Sequence, residues 1–320
     1  MTNTNADSSD RIAIIGTGHV GATSAYALLT SGVAREIVLI DINAEHAEGE
    51  AMDLQHSVPL TSPVRVWAGD YKDAAQSSVV VITGGVGGRP GESRLDLLGR
   101  NVTVVRECTR RLMDEGFDGV LLMTTNPVDI LAQVAQAESG LPIERVISSG
   151  TVLDTARLRA MLGEELKVDA RSVHAYIIGE HGDSEIAVWS SARIAGVPLR
   201  DYCAPDACPD FDGLLQRVRH AAPEIIKRKG YTSFAIASCV ARICESIIRD
   251  EHTVLPVSTM MRGEYGVEGV YLSTPCVVGR RGVERVIELP LDKAEQQGLQ
   301  ASADVLRRTL ESLHASGNGL

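Results

Sequence analysis

Short apolar runs alternating with helical patterns organise the first half of this chain. After a polar start, Met1–Asp10, the runs are Arg11–Ile15, Glu36–Ile40, Val64–Trp67, Val79–Ile82, Val120–Met123 and Arg145–Ser148. Each has the length and β-branched content of a buried strand. Between them lie an Ala-rich apolar pattern reaching Leu29 and a longer helical pattern from about Ser93 to Glu115. Six strands separated mostly by helices predict a parallel, doubly wound sheet whose ligand crevice lies outside the strands' carboxyl ends. From Ser149 the rhythm changes. A helix opens near Leu153, and an apolar run from Val173 to Ile178 stops at Gly179. Long helices follow within Phe211–Ile248, interrupted around Pro223 and Gly230. Strand-like runs 254–258, 270–273, 276–279 and 286–289 precede a terminal helix from about Asp292 to His314.

The first strand runs into Gly16-Thr17-Gly18-His19-Val20-Gly21 and then a helix, the context that a dinucleotide-binding GxGxxG requires. Gly16 makes the tight turn, Gly18 lets the backbone approach a pyrophosphate, and Gly21 lets helix and strand pack closely. The second strand ends at Asp41, where a carboxylate can accept from both ribose hydroxyls of NAD and would repel the extra phosphate of NADP. Capping the next helix is the plainer role for Asp41. The fold class expected is therefore α/β: a Rossmann-type doubly wound parallel sheet over residues 1–148, then an α+β substrate domain over 149–320. Asn126 falls at a strand's carboxyl end, where its amide could bond substrate or nicotinamide, or simply form an Asn-Pro turn. Between the fourth strand and its helix, Gly84 to Arg94 holds five glycines, as a mobile lid would. Arg94 at its far end could swing over a carbonyl oxygen, or stay solvated in a first helical turn capped by Ser93.

Composition narrows the partners. A chain of 320 residues exceeds the usual single core, and a net charge of −11 argues against a nucleic-acid or anionic-membrane binder. Any anionic substrate must be held by local arginines. No apolar run approaches a membrane span, and the N-terminus lacks the layout of a signal peptide. Six cysteines without a CxxC pair fit a reduced cytoplasmic protein with no metal site.

The candidate chemistry centres on Gly179-Glu180-His181-Gly182-Asp183-Ser184. A strand that ends by presenting an imidazole at a turn suits proton transfer, since His titrates nearest neutral pH. A locally bonded loop His is the bland alternative. Asp154 and Arg157 stand three apart on one helical face. Alone they are an ordinary ion pair; beside His181, Asp154 could hold the imidazole while Arg157 takes a carboxylate as a planar fork.

Taken together, GTGHVG (16–21), VLID (38–41), GRPGESR (88–94), TTNPVD (124–129), SSGTVLDTARLR (148–159), GEHGDS (179–184) and KGYTSFAI (229–236) resemble the L-lactate dehydrogenase branch of the lactate/malate dehydrogenase family, essentially end to end. The resemblance implies His181 as the acid/base of hydride transfer to or from NAD and Asp154 as its partner. It implies Arg157 on the substrate carboxylate and Arg94 polarising the keto oxygen. Asn126 and Ser149 would orient substrate and nicotinamide, Ile236 would press on the nicotinamide ring, and Thr232 would floor the substrate pocket. One position departs: Gly88 stands where lactate dehydrogenases carry Gln and malate dehydrogenases Arg. This opens space for larger 2-oxo acids, and Arg89 next to it keeps malate dehydrogenase as an alternative. Arg159 and His174 match positions that bind fructose 1,6-bisphosphate across a subunit interface, and the family implies a homotetramer. From another class, a non-catalytic NAD-binding protein on this fold is the competing expectation.

Overall fold

The computed structural model describes residues 10–87, 91, 93–203 and 208–317, with Arg94 given by its backbone alone. In chain order the first half comprises β1 (Arg11–Ile15), α1 (His19–Ser31), β2 (Glu36–Ile40), α2 (Ala44–Ser57), β3 (Arg65–Ala68), α3 (Tyr71–Ala75) and β4 (Val79–Ile82). It continues with α4 (Arg94–Asp114), β5 (Val120–Met123), α5 (Val128–Ser139) and β6 (Val146–Ser148). These strands form the parallel part of one sheet in the order β6-β5-β4-β1-β2-β3. The order reverses between β4 and β1, which places a crevice there. Ile15 lies in register with Ile40 and Ile82, and Ile82 with Met123. Gly16, Asp41, Thr83 and Thr124 therefore emerge along one carboxyl edge.

The second half opens with α6 (Val152–Leu166) and the short strands β7 (Val173–His174), β8 (Ile177–Ile178), β9 (Ile186–Ala187), β10 (Arg193–Ile194) and β11 (Val197–Pro198). Then come α7 (Leu199–Tyr202), α8 (Phe211–Lys229), α9 (Phe234–Ile248), β12 (Thr253–Leu255), β13 (Ser258–Arg262), β14 (Glu268–Ser273), β15 (Cys276–Gly279), β16 (Gly282–Val286) and α10 (Lys293–Ala315). Strands β13 and β14 extend the main sheet to eight strands, antiparallel and outside β6. The six expected parallel strands are thus continued by the second half, which alternation in the first half could not reveal.

Every residue of β4 and β5 is buried. At about 1.5–3 kcal/mol for each buried Val, Ile or Leu, these two strands anchor the centre. One face of the sheet packs residues of α4, α5 and α10, the other residues of α1, α2 and α9.

Four expectations change. The apolar run Val173–Ile178 is two short strands, β7 paired with β10 and β8 with β9. Helix α8 runs unbroken through Pro223 and ends at Gly230, whose φ is 90°. Pro223 is exposed, so the carbonyl it leaves unbonded one turn back can be solvated. The run 254–258 divides at Pro256, which cannot donate to a ladder: β12 pairs with β15, and β13 joins the main sheet. The last expected strand, 286–289, ends at Val286, and Ile287 keeps a single backbone bond to Pro275. Among the described residues no helix is long and apolar enough to cross a membrane.

Close approach at the first turn explains one glycine fully. A Cβ on Gly21 would lie 1.9 Å from the Gly16 carbonyl oxygen, so β1 and α1 can meet only without a side chain. Gly21→Ala is expected to destabilise the protein by about 1–3 kcal/mol, the usual cost of overpacking. A lower urea midpoint at unchanged m-value would register it; an unaltered midpoint would mean that the turn shifts at no cost.

Candidate active site

The dinucleotide groove is built at the switch between β4 and β1. Gly16 turns with φ 101° and donates its N–H to the Ile40 carbonyl at 2.7 Å. Helix α1 then begins with Gly18 as an N-cap that offers no side-chain bond, and no acidic residue stands in its first turn. A Cβ on Gly18 would meet nothing within 4 Å, so this end of the helix faces open space. Uncapped N–H groups and the positive helix end suit a phosphate. Asp41 accepts Thr17 N–H at 2.7 Å and the Thr17 hydroxyl at 3.1 Å on Oδ2, and Asn43 N–H on Oδ1. Burial opposes its charge, but the Thr17 and Asn43 donors and His46 outweigh burial and hold its carboxyl below the usual range. A carboxylate has about four acceptor sites, so room remains for ribose hydroxyls. The adjoining cleft measures about 640 Å³ and includes Gly16, Gly18, Asp41, Ile42, Tyr71 and Thr83. These residues fit a dinucleotide.

A cluster of His181, Asp154 and Arg157 lies on the second half. Asp154, in the first turn of α6, is 2% exposed. Its Oδ2 accepts the Nδ1–H of His181 at 2.6 Å, and its Oδ1 accepts Nη1–H of Arg157 at 2.9 Å. Helical spacing sets the Asp–Arg contact; the loop must bring the ring. Gly179, with φ 100°, bridges to Ser273 of β14, and Glu180 N–H donates to Ser302 Oγ of α10. The His181 backbone N–H donates to Asp129 Oδ2 at 2.8 Å, from the first turn of α5. Burial disfavours the imidazolium, but the Asp154 carboxylate overrides it and raises His181 to about 9. Burial likewise opposes ionisation of Asp154, while His181 and Arg157 hold it below its ordinary value. Asp129 is pushed up to about 6 by burial, with the His181 N–H restraining the rise.

The other expected residues fall as follows. Ser149 is buried at the end of β6, its N–H on the Met123 carbonyl, and Asn126 is exposed just past β5 before a cis peptide bond to Pro127. Thr232 and Ile236 are half-buried at the start of α9. Arg159 donates to the Ala175 carbonyl and lies 4.8 Å over the Tyr176 ring, and His174 is exposed on neighbouring β7. Ser93 caps α4 through Asp96 N–H. Gly88, Arg89 and the Arg94 side chain lie outside the described residues. Sequence reasoning missed Asp129, which reads as a first-turn acid. It also missed the stacking of His19 on Tyr231, with centroids 3.8 Å apart and planes 6° from parallel. That stack joins the glycine turn to the loop carrying Thr232.

A doubly wound sheet with a phosphate-ready turn, together with an imidazole and a guanidinium on one buried carboxylate, defines an NAD-binding oxidoreductase. Residues 10–148 match the NAD binding domain of lactate/malate dehydrogenase, and residues 151–316 its alpha/beta C-terminal domain. The chain belongs to the lactate/malate dehydrogenase family. It is 48% identical over 302 residues to an L-lactate dehydrogenase of Priestia megaterium, covering 93% of this chain and 95% of that one. An L-lactate dehydrogenase of Acetivibrio thermocellus is 47% identical, with 95% and 97% covered. Among solved structures, the minor L-lactate dehydrogenase of Enterococcus mundtii in its ligands-bound form superposes with a TM-score of 0.93 at 41% identity, covering 96% of this chain and 99% of that one.

The raised His181 value has a consequence for stability. A proton bound more tightly in the folded state contributes stability that is fully present below the unfolded pKa of about 6.5. That contribution, on the order of 3 kcal/mol, is lost as pH rises through about 9. Urea midpoints of His181→Asn should fall less steeply between pH 6.5 and 10 than those of the parent; parallel curves would contradict the coupling.

Proposed function

We propose that this protein is an NAD-dependent L-2-hydroxy acid dehydrogenase of the L-lactate type, interconverting pyruvate or a related 2-oxo acid with its hydroxy acid. The single observation that carries this reading is the Asp154 carboxylate, buried and shared between His181 and Arg157. When bound, NADH supplies the hydride. In that direction His181, held as imidazolium by Asp154, gives its proton to the keto oxygen; in the other, the neutral ring takes the alcohol proton. Arg157 pairs the substrate carboxylate through its planar N–H groups. Arg94 stabilises the charge developing on the keto oxygen. Gly16, Gly18 and Gly21 accommodate the pyrophosphate, and Asp41 takes the ribose. Asn126 and Ser149 orient substrate and nicotinamide, Ile236 backs the ring, and Thr232 and Gly88 bound the space for the substrate side chain. Residues 1–148 serve as the NAD-binding domain and 149–320 as the substrate domain.

Arg159 and His174, on adjacent elements, form the half-site for fructose 1,6-bisphosphate, completed by a second copy in a homotetramer. Exposed Tyr26 on α1 and Phe234 on α9 support self-association. Six free thiols fit a reducing cytoplasm.

His181→Ala should abolish NADH consumption with pyruvate, by about 10³-fold or more given the reach of general acid–base catalysis, while NADH titration by fluorescence stays close to the parent. An equal loss of NADH binding would tell against the acid/base role. Substrate choice is tested by kcat/KM for pyruvate, oxaloacetate, 2-oxoisocaproate and phenylpyruvate, with and without fructose 1,6-bisphosphate. With Gly88 in the lid, pyruvate should be accepted without a hundredfold preference, and the bisphosphate should tighten pyruvate binding. A strict pyruvate preference would refute the first expectation, and an unresponsive KM and tetramer content the second.

A further inference from the structure

Glu185 places an ionisable group where a charge is poorly supported. It follows the hexapeptide at 179–184 and is 2% exposed. Its Oε1 is buried and has no hydrogen-bond partner among the described residues. A carboxylate oxygen of Glu185, one of Asp154 and a ring nitrogen of His181 all lie within 4.8 Å of one another. Two cations face this cluster. Arg219 of α8 donates to the Glu185 backbone carbonyl, and its Nε is buried without a partner. Arg157 of α6 is joined to Asp154. Neither guanidinium therefore hydrogen-bonds the Glu185 carboxyl. Ionising an unpaired buried acid beside an existing carboxylate is disfavoured twice, by lost hydration and by repulsion. Burial and then the Asp154 charge push Glu185 up to about 8, against His181, Arg219 and Arg157, which pull it down.

We propose that Glu185 is a positioning residue of the acid/base unit, keeping its own proton at neutral pH so that His181 is governed by Asp154 and Asp129 without a third carboxylate charge. The inference rests on His181 being the acid/base. Beside Asp154 and Asp129, a further full negative charge at this range would tighten the imidazolium's hold on its proton and make it a poorer donor to the keto oxygen. Neutral Glu185 removes that excess hold while Asp154 still fixes and charges the ring. Glu185 neither gains nor loses a proton in turnover; the proton His181 gives away is replaced from solvent. Above neutrality Glu185 ionises, His181 keeps its proton to higher pH, and the alkaline limb belongs to the coupled pair.

The test compares the pH dependence of kcat/KM for pyruvate reduction in the parent and in Glu185→Gln, which keeps a neutral polar side chain and cannot ionise. The alkaline limb of the variant should move down by about half to one pH unit; a limb that stays in place or moves up overturns the proposal. A second readout does not depend on turnover or on the variant folding. Infrared difference spectra of the parent between pH 7 and 9.5 should show loss of a protonated carboxyl stretch that shifts when glutamate is carboxyl-labelled with carbon-13. Absence of that glutamate band sinks the proposal whatever the substrate. A band that is present while no 2-oxo acid is reduced supports the buried proton and tells instead against the acid/base reading.

Discussion

The site depends on one carboxylate with two cationic partners. Asp154 is almost wholly buried, and an ion in that position is tolerated only when paired and hydrogen-bonded. Here the partners are the His181 imidazole and the Arg157 guanidinium. Because each of its oxygens is taken by a different cation, losing either one would leave Asp154 short of a partner and move the other. The position in the first turn of α6 adds the favourable end of the helix dipole. The imidazole and the guanidinium therefore share a fixed reference point, which the proposed reaction would use to align a carboxylate with a keto oxygen.

Three buried acids surround His181, and they differ in charge state although burial is similar for all. Asp129, Asp154 and Glu185 are 1–2% exposed. Asp154 faces two cations and is held ionised. Asp129 accepts the His181 main-chain N–H on one oxygen, leaves the other buried without a hydrogen bond among the described residues, and lies in between. Glu185 has a free oxygen and a carboxylate neighbour, and it rises. Partners, rather than depth, decide which carboxyl is a charge and which is a neutral polar group. The division also separates two tasks: Asp154 sets the ring's protonation, while Asp129 fixes the backbone from which the ring projects.

Local patterns carried most of the nucleotide half. The runs ending at Ile15, Ile40, Ile82 and Met123 are the strands observed, because a fully buried parallel strand must be a short continuous apolar run. The GxGxxG turn was readable for a similar reason, since its glycines answer to contacts within a few residues. In the second half the deciding contacts are distant. Ser258 pairs with Ser148 across 110 positions of chain, and no periodicity announces it. Pro223 reads as a break, yet an exposed helix face tolerates it. Asp154 and Arg157 were visible as a helical pair, whereas the contact to His181 spans 27 residues and stood only as an alternative to an ordinary ion pair until the family likeness favoured it. Glu185, next to Asp183 and Ser184, has the composition of a solvated loop, so its burial could not be read from sequence.

Fixing His181 takes parts of the chain that are far apart in sequence. Its loop is tied to α5 by Asp129, to α6 by Asp154, to β14 through Gly179 and Ser273, and to α10 by Ser302. Strand β14 is itself part of the main sheet, so His181 and the strand ends beside the nucleotide groove are referenced to the same layer. A side-chain link from the glycine turn to the loop carrying Thr232 is softer: a stack of exposed His19 on Tyr231, with the Lys229 ammonium 4.6 Å from the same ring. Contacts of a cation or a second ring with an exposed aromatic ring are worth about 0.5–1.5 kcal/mol each. The imidazole is thus held by buried hydrogen bonds from several elements, whereas the glycine turn meets the loop carrying Thr232 through an exposed stack.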